Sequence, residues 1–322
     1  MARHGPGLLL RDLRKGSDPR LLAAVEVIGA LDADILLLTG IDYDARGEAL
    51  EALAARLDAA GHPYPYRLAL RPNTGVPTGL DLDGNGARGE ADDAQGFGRF
   101  AGQAGMALLS RLPILAGEAQ DYSAFLWADL PGNLMPPDTP PGVRAVQRLS
   151  TAGHWAVPVR LPDGRALTLL VWYATPPVFD GPEDRNGRRN HDEAAFWLWL
   201  LAGELPFAAP QPPFVILGQS NLDPADGEGR PAAMRALLAS PLLHDPQPRA
   251  SAPRSEPGQR GDPALDTALY PRIGGLRVEV ILPSAGLAVS ASGVLWPAED
   301  DPLSPALLGA SRHRPVWVDL AP

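Results

Sequence analysis

The sequence predicts an α/β fold in which two sheets pack on each other and helices cover the outside. Three observations carry this. Short apolar runs such as Asp34-Ile35-Leu36-Leu37-Leu38-Thr39 read as strands buried on both faces. Segments with apolar residues near the 3.6 period read as amphipathic helices. In the second half the strand runs follow too closely for a purely parallel doubly wound sheet, whose strands need helical crossovers, so two packed sheets fit better.

The elements follow in order. Ser17-Asp18-Pro19 is a helix start, with Asp as the cap and Pro in the first turn; Leu21, Leu22, Val25, Ile28 and Leu31 form the apolar face. The strand at Asp34–Thr39 comes next, then a helix from Glu48 to Ala60 that ends at Gly61. Further strands are predicted at Met106–Ser110, Trp155–Arg160, Leu167–Tyr173, Phe214–Leu217, Val278–Leu282 and Val316–Leu320. Helices fit Arg189–Gly203 and Pro231–Ala239. Long polar, Gly-rich or Pro-rich loops occupy 71–104, 131–153, 174–188 and 245–272; loops of that length are usually functional or mobile. No repeat or linker divides the chain, so residues 1–322 read as one domain.

Composition narrows the function classes. With 45% hydrophobic and 20% charged residues, the chain can bury a sizeable core and is not disordered as a whole. No apolar run reaches the roughly 20 residues of a membrane span. Met1–Gly7 has no signal-peptide pattern, which predicts a cytoplasmic chain as written. Cysteine is absent, which excludes disulfides, thiolate nucleophiles and Cys-ligated metal sites. The net charge of −10 argues against a long nucleic-acid track, yet a few local arginines are enough to hold a small phosphorylated ligand.

Four short stretches carry the functional signal. They are Ile35-Leu36-Leu37-Leu38-Thr39-Gly40-Ile41-Asp42; Gly105-Met106-Ala107-Leu108-Leu109-Ser110-Arg111-Leu112-Pro113-Ile114; Phe214-Val215-Ile216-Leu217-Gly218-Gln219-Ser220-Asn221; and Arg277-Val278-Glu279-Val280-Ile281-Leu282-Pro283-Ser284 taken with Ser311-Arg312-His313-Arg314-Pro315-Val316. In this order and spacing they resemble the endonuclease/exonuclease/phosphatase superfamily, the DNase I-like fold, over nearly the whole chain. The resemblance implies a four-layer α/β sandwich of two packed mixed sheets with outer helices. It also implies phosphoesterase chemistry: Mg2+ or Mn2+ on the phosphoryl oxygens, a carboxylate that activates water, and donors where charge builds on phosphorus.

Compared position by position, the family's carboxylates are thinned out. Gly40 stands where the family has a metal-holding glutamate; Asp42, two residues on and about 7 Å further along a strand, is the candidate substitute. Gln219 replaces the aspartate of the family's Gly-Asp-x-Asn stretch and cannot accept a proton from water. Asn221 matches that stretch's asparagine, whose implied role is a hydrogen bond to phosphate; its plainer role is a turn residue before Leu222-Asp223-Pro224. Arg312 replaces the aspartate of Ser-Asp-His while His313 is kept, either as a functional group or as a satisfied histidine at a strand start. Glu279 stands for the aspartate that orients this histidine, one methylene longer. Tyr173 sits where many members have histidine and some branches tyrosine. The resemblance also implies a first strand with a metal-side asparagine, whereas Met1-Ala2-Arg3-His4-Gly5-Pro6 leads to a loop and a helix at once; either the start was assigned late or the strand is truly lost, and in the second case its neighbours are expected to lose ladder hydrogen bonds.

The expected site residues are thus His313, Asn221, Glu279, Tyr173 and Gln219, with Asp42 for metal. With three carboxylate positions changed together, the sequence predicts an impaired or inactive member that has lost the family's Mg2+ or Mn2+. A separate metal reading lies in Asp81-Leu82-Asp83-Gly84-Asn85-Gly86 with Asp92 at loop position 12, the spacing of an EF-hand-type Ca2+ loop. Its plainer reading is an Asp- and Gly-rich surface loop.

Arg185, Arg188, Arg189 and Asn190 either grip an anion or, as preferred here, form a solvated helix start balanced by Asp184, Asp192 and Glu193. His154-Trp155 reads as a buried strand entry, and Phe196, Trp197 and Trp199 as helix-to-sheet packing. Three functional readings stay open. The first is a pseudoenzyme that binds a phosphorylated ligand or a protein partner. The second is an active metal-dependent phosphomonoesterase or phosphodiesterase with Asp42, Asp44 and Glu279 rebuilding the site. The third is a calcium-stabilised binding module.

Overall fold

The structure is a computed structural model that describes residues 1–321. The chain opens with two helices, α1 (Leu8–Lys15) and α2 (Pro19–Leu31), followed by β1 (Ile35–Ile41), α3 (Glu48–Ala59), β2 (Tyr66–Leu68) and β3 (Gly105–Ser110). Next come β4 (Gln120–Asp121), the single turn α4 (Pro141–Arg144), β5 (Gly153–Arg160), β6 (Ala166–Tyr173), α5 (Arg185–Leu201), β7 (Phe214–Gln219) and α6 (Ala232–Leu238). The last part holds β8 (Ala268–Tyr270), β9 (Gly274–Leu276), β10 (Glu279–Pro283), β11 (Val289–Val294), α7 (Ser304–Ala310) and β12 (Val316–Leu320). Asp18 caps α2 through its side chain, which accepts from the Leu21 N–H, as its sequence position predicts.

A five-stranded sheet runs β10-β7-β6-β5-β4; only its β6–β7 pair is parallel. A three-stranded antiparallel sheet runs β1-β3-β2, and β11 pairs with β12. Period-2 alternation sorts the strand residues into layers. Ile35 and Leu37 of β1, Met106 and Leu108 of β3, Leu169 and Val171 of β6, and Val215 and Leu217 of β7 meet in one cluster between the sheets. Leu36, Leu38, Ala107 and Leu109 turn the other way, onto α1, α2 and α3. Leu170, Trp172, Phe214 and Ile216 turn outward onto α5 and α6. The result is helix, sheet, sheet, helix, the four-layer α/β arrangement that the resemblance implies.

Some elements are not among the sequence expectations. α1, α7 and β11 are short, and their apolar residues are too few to set a period. α5 starts at Arg185 rather than Arg189, which shortens the 174–188 loop. The arginine run is not a solvated helix start either: Arg189 and Asn190 are buried, for reasons given below. His154 and Trp155 are fully buried, as are Phe196 and Trp197. Among the described residues no helix is long and apolar enough to cross a membrane.

Besides these, β8 pairs with β9, and the β1-β3-β2 and β11-β12 sheets do not join. β1 pairs only with β3, and β12 only with β11. β3 is buried along its whole length, yet β1 is only half-buried from Ile35 to Gly40 although it lies in an inner layer, because its second edge has no strand partner.

Candidate functional site

The alternation that builds the core also aims the candidate residues. Tyr173 follows Leu169 and Val171, Gln219 follows Val215 and Leu217, and Thr39 follows Ile35 and Leu37, so all three lie on the inner faces at strand ends. Glu279, two residues before Ile281, joins them at the start of β10. Tyr173 is directly opposite Gln219 in the β6–β7 ladder, and Glu279 is opposite Gln219 in the β7–β10 ladder. Three adjacent strands thus present Tyr173, Gln219 and Glu279 as one row.

Hydrogen bonds fix the row. Thr39 Oγ1 donates to Gln219 Oε1 at 2.7 Å and ties the two sheets together. Gln219 Nε2 donates to Asn221 Oδ1 at 2.9 Å, and Asn221 Nδ2 donates to the Ala174 carbonyl at 2.8 Å. Asn221 has φ +52°, a left-handed turn that asparagine tolerates. Both ends of its amide are engaged within the protein, so the turn role is filled. His313 Nδ1 faces Glu279 Oε1 at 2.5 Å, which leaves Nε2 as the ring nitrogen for a ligand. The other oxygen, Glu279 Oε2, is buried with no hydrogen-bond partner.

Two tyrosines complete the wall. Burial, with the Glu279 and Glu193 charges, pushes the Tyr173 hydroxyl up to about 12. Burial, again with Glu279, raises Tyr270, whose ring stands edge-on to His313 at 6.0 Å. The Arg312 guanidinium lies 5.7 Å from the Tyr270 ring centre. Both hydroxyls are therefore protonated donors at neutral pH.

Asp42 and Asp44 serve elsewhere. Asp42 accepts from the Arg3 N–H at 2.8 Å and the Ala104 N–H at 3.0 Å, and burial raises its pKa. Its carboxylate brackets the N-terminal segment instead of joining the row. Asp44 accepts from the N–H groups of Arg46, Glu48 and Ala49 and so caps α3. Gly40 has φ +67° beside a register shift in β1, so the chain leaves the regular ladder where the row begins.

The acidic loop forms a separate site. One carboxylate oxygen from each of Asp81, Asp83 and Asp93 lies within 4.8 Å of the others. Asp93 takes the closing place that loop spacing gives to Asp92. Asn85 is exposed on the loop, where Nδ2 donates to Asp83 at 3.0 Å and to Glu90 at 2.7 Å.

The largest omission of the sequence reading is the polar stripe of α5. Arg189 Nε donates to the Leu149 carbonyl at 2.8 Å, and its Nη2 to the carbonyls of Gln95 (2.5 Å), Arg148 (2.9 Å) and Ser150 (3.1 Å). Asn190 Nδ2 donates to the Thr175 and Ser220 carbonyls at 2.6 and 2.7 Å. Glu193 accepts from the Thr151 N–H at 2.5 Å and the Thr175 N–H at 2.7 Å. These side chains anchor the turns that follow Tyr173 and Gln219. The signal was present: Arg189, Asn190 and Glu193 at i, i+1 and i+4 share one face directly ahead of the apolar Ala194–Trp197.

The model of the Endonuclease/Exonuclease/phosphatase family matches residues 10–313. The chain belongs to this family. Among solved structures, an endonuclease/exonuclease/phosphatase from Beutenbergia cavernae DSM 12333 superposes with a TM-score of 0.57 at 18% identity, over 94% of this chain and 66% of that one. This family member thus spans just under two thirds of that chain's length. A mannosyl-6-phosphatase from Bacteroides thetaiotaomicron VPI-5482 superposes with a TM-score of 0.51 at 14% identity, over 95% and 91% of the two chains. A family protein from Leptotrichia buccalis C-1013-b gives 0.50 at 12% identity, over 94% and 92%. At such identities the likeness is one of fold. No curated protein sequence matches the chain.

The family usually depends on a divalent metal. The row in this member does not fit such an ion. It has one carboxylate, Glu279, whose Oε1 already faces His313; Gln219 offers an amide, Gly40 offers no ligand atom, and Arg312 adds positive charge nearby. Among the described residues, the group of three carboxylates that could hold a cation is Asp81, Asp83 and Asp93.

Proposed function

We propose that this family member is catalytically impaired and uses the inner cleft to bind a small phosphorylated ligand or the phosphorylated part of a protein partner. One observation carries the reading: the row Tyr173–Gln219–Glu279–His313 is rich in donors and holds a single carboxylate, already paired. Tyr173 and Tyr270 offer hydroxyl protons, and Gln219 offers amide N–H. His313 is positioned by Glu279, and Arg312 supplies positive charge. Such a set suits a phosphate dianion. It lacks the anions for a metal, and the one group left to take a proton from water is His313 Nε2, oriented by Glu279.

The test has two parts. Hydrolysis of bis-(4-nitrophenyl) phosphate and of 4-nitrophenyl phosphate with Mg2+ or Mn2+ is expected to stay at background. Titration with inorganic phosphate is expected to perturb the Tyr270 and His313 resonances. Metal-dependent turnover abolished by His313→Ala would replace this reading with that of an active phosphoesterase.

We further propose that Asp81, Asp83 and Asp93 bind Ca2+ as a structural ion, since three carboxylates from one short loop suit a hard cation. Ca2+ is expected to raise the melting temperature and chelator to lower it, with both responses lost in Asp83→Asn. A Ca2+-independent melt would dismiss the idea.

A further inference from the structure

One side chain of α5 reaches both turns that border Tyr173. Glu193 is fully buried, and its two oxygens are divided between two chain segments: Oε1 accepts the Thr151 N–H at 2.5 Å and Oε2 the Thr175 N–H at 2.7 Å. Each segment touches the row through its backbone. On the Thr151 side, the Ala152 N–H donates to the Tyr173 carbonyl at 3.3 Å, and Gly153 is opposite Tyr173 in the β5–β6 ladder. On the Thr175 side, the Ala174 N–H donates to the Gln219 carbonyl at 3.0 Å, and the Ala174 carbonyl accepts from Asn221 at 2.8 Å. A single carboxylate therefore joins the turn before β5 to the turn after β6.

The strength of this join depends on charge. The titratable groups facing Glu193 are Arg189 on its own helix, Tyr173 on β6 with Glu279 beyond it, and His154 on β5, whose Nε2 lies 3.0 Å from the Glu193 carbonyl. Arg185 stands behind Arg189 on the same helix. Arg189 spends its N–H groups on backbone carbonyls, and burial keeps His154 neutral. The Glu193 oxygens thus take their compensation chiefly from the two turns. Backbone N–H groups bond an ionised carboxylate about twice as strongly as a neutral acid. Thr151 Oγ1 and Asn190 Oδ1 are buried without partners, one on the residue that Glu193 holds and one on the same face of α5; either can accept the proton of the neutral acid. Burial pushes the Glu193 carboxyl up to about 7, so both forms are populated in ordinary buffers.

We propose that Glu193 is a positioning residue for the row: ionised, it clips the Thr151 and Thr175 turns together and holds Tyr173 and Gln219 in line for an anion; protonated, it loosens both turns and weakens the anion site. The anion part rests on the ligand reading above; the clip does not. Direction separates this role from two plainer ones. A Glu193 that acted only by through-space charge would repel the anion when ionised and weaken binding at high pH. A merely structural Glu193 would make affinity follow stability, which falls as the buried group ionises. The clip gives tighter binding in the range where the fold is less stable.

The test follows the backbone amide protons of Thr151 and Thr175 by NMR. They are expected to titrate together in the native protein with a midpoint of about 7, the Tyr173 ring resonances moving with them, and to stay flat there in Glu193→Gln. Inorganic sulfate, doubly charged throughout, is the binding probe. At about pH 8.5 the native protein is expected to bind it about fivefold or more tightly than Glu193→Gln, and at about pH 5.5 equally. Both proteins carry His313, so its own titration cancels in the comparison. Amides that do not titrate, equal affinities at both pH values, or weaker binding by the native protein at the higher pH would each overturn the proposal. Should neither protein bind sulfate at either pH, the ligand reading fails and the amide and Tyr173 titrations decide the clip. Those titrations use the native sequence, so they also decide if Glu193→Gln does not fold.

Discussion

The Gln219 amide is tied at both ends, to Thr39 across the sheets and to Asn221 along its own turn. A carboxylate there would lose the donor to Asn221 and face Glu279 in the adjacent strand. Gln219→Asp is therefore expected to lower stability by about 1–2 kcal/mol without metal. Millimolar Mn2+ should recover part of that loss, read by thermal melts in an Asp83→Asn background so that the acidic loop does not respond. Glu193 makes a prediction in pH. Burial pushes its carboxyl up to about 7 in the folded protein against an ordinary value near 4.5. The folded state thus binds the proton more tightly than the unfolded one. Ionisation is a penalty that is fully present above pH 7 and relieved as pH falls toward 4.5. Glu193→Gln removes this titration. The stability of the native sequence relative to Glu193→Gln should rise by roughly 3 kcal/mol across that window, measured by urea unfolding at stepped pH.

At the scale of elements, Asp44 decides between a ligand and a cap. Its oxygens accept three backbone N–H groups at the start of α3. Asp44→Ala is expected to lose about 1–2 kcal/mol of stability and to leave phosphate binding unchanged; a loss of binding at unchanged stability would point to the site instead. The strands that matter here were readable because their alternation is strict: Leu167–Tyr173 and Phe214–Leu217 each divide cleanly between two layers. The candidate row came from the resemblance: Tyr173 closes one of these runs, while Gln219, Glu279 and His313 were named by their places in the motif stretches that resemble the family. The role of α5 was not readable. A run of arginines beside acids looks like a solvated surface, and only the return of the 95, 148–151 and 175 loops over it shows those charges to be buried anchors. Asp42 was misleading for a related reason: its position in the run suits a ligand, but the Arg3 and Ala104 N–H groups that claim it come from distant chain segments.

For the molecule as a whole, the net charge of −10 sets the kind of surface that this family member shows to partners. It should elute from a double-stranded DNA column at low salt without a salt-dependent retained fraction; retention that falls steeply with salt would require a basic track.

The helix-side layer around α5 has a different consequence, in light. Trp127, Trp172 and Trp197 are fully buried there, and the indole N–H groups of the last two have no hydrogen-bond partner. Trp172 and Trp197 flank the His154 ring at 5.7 and 5.1 Å. Burial pushes that imidazole down to about 3, so no charged quencher forms beside them in ordinary buffers. The contribution of these indoles to ultraviolet emission is therefore expected to be blue-shifted, and its reddening is a label-free signal that the aromatic layer has admitted water.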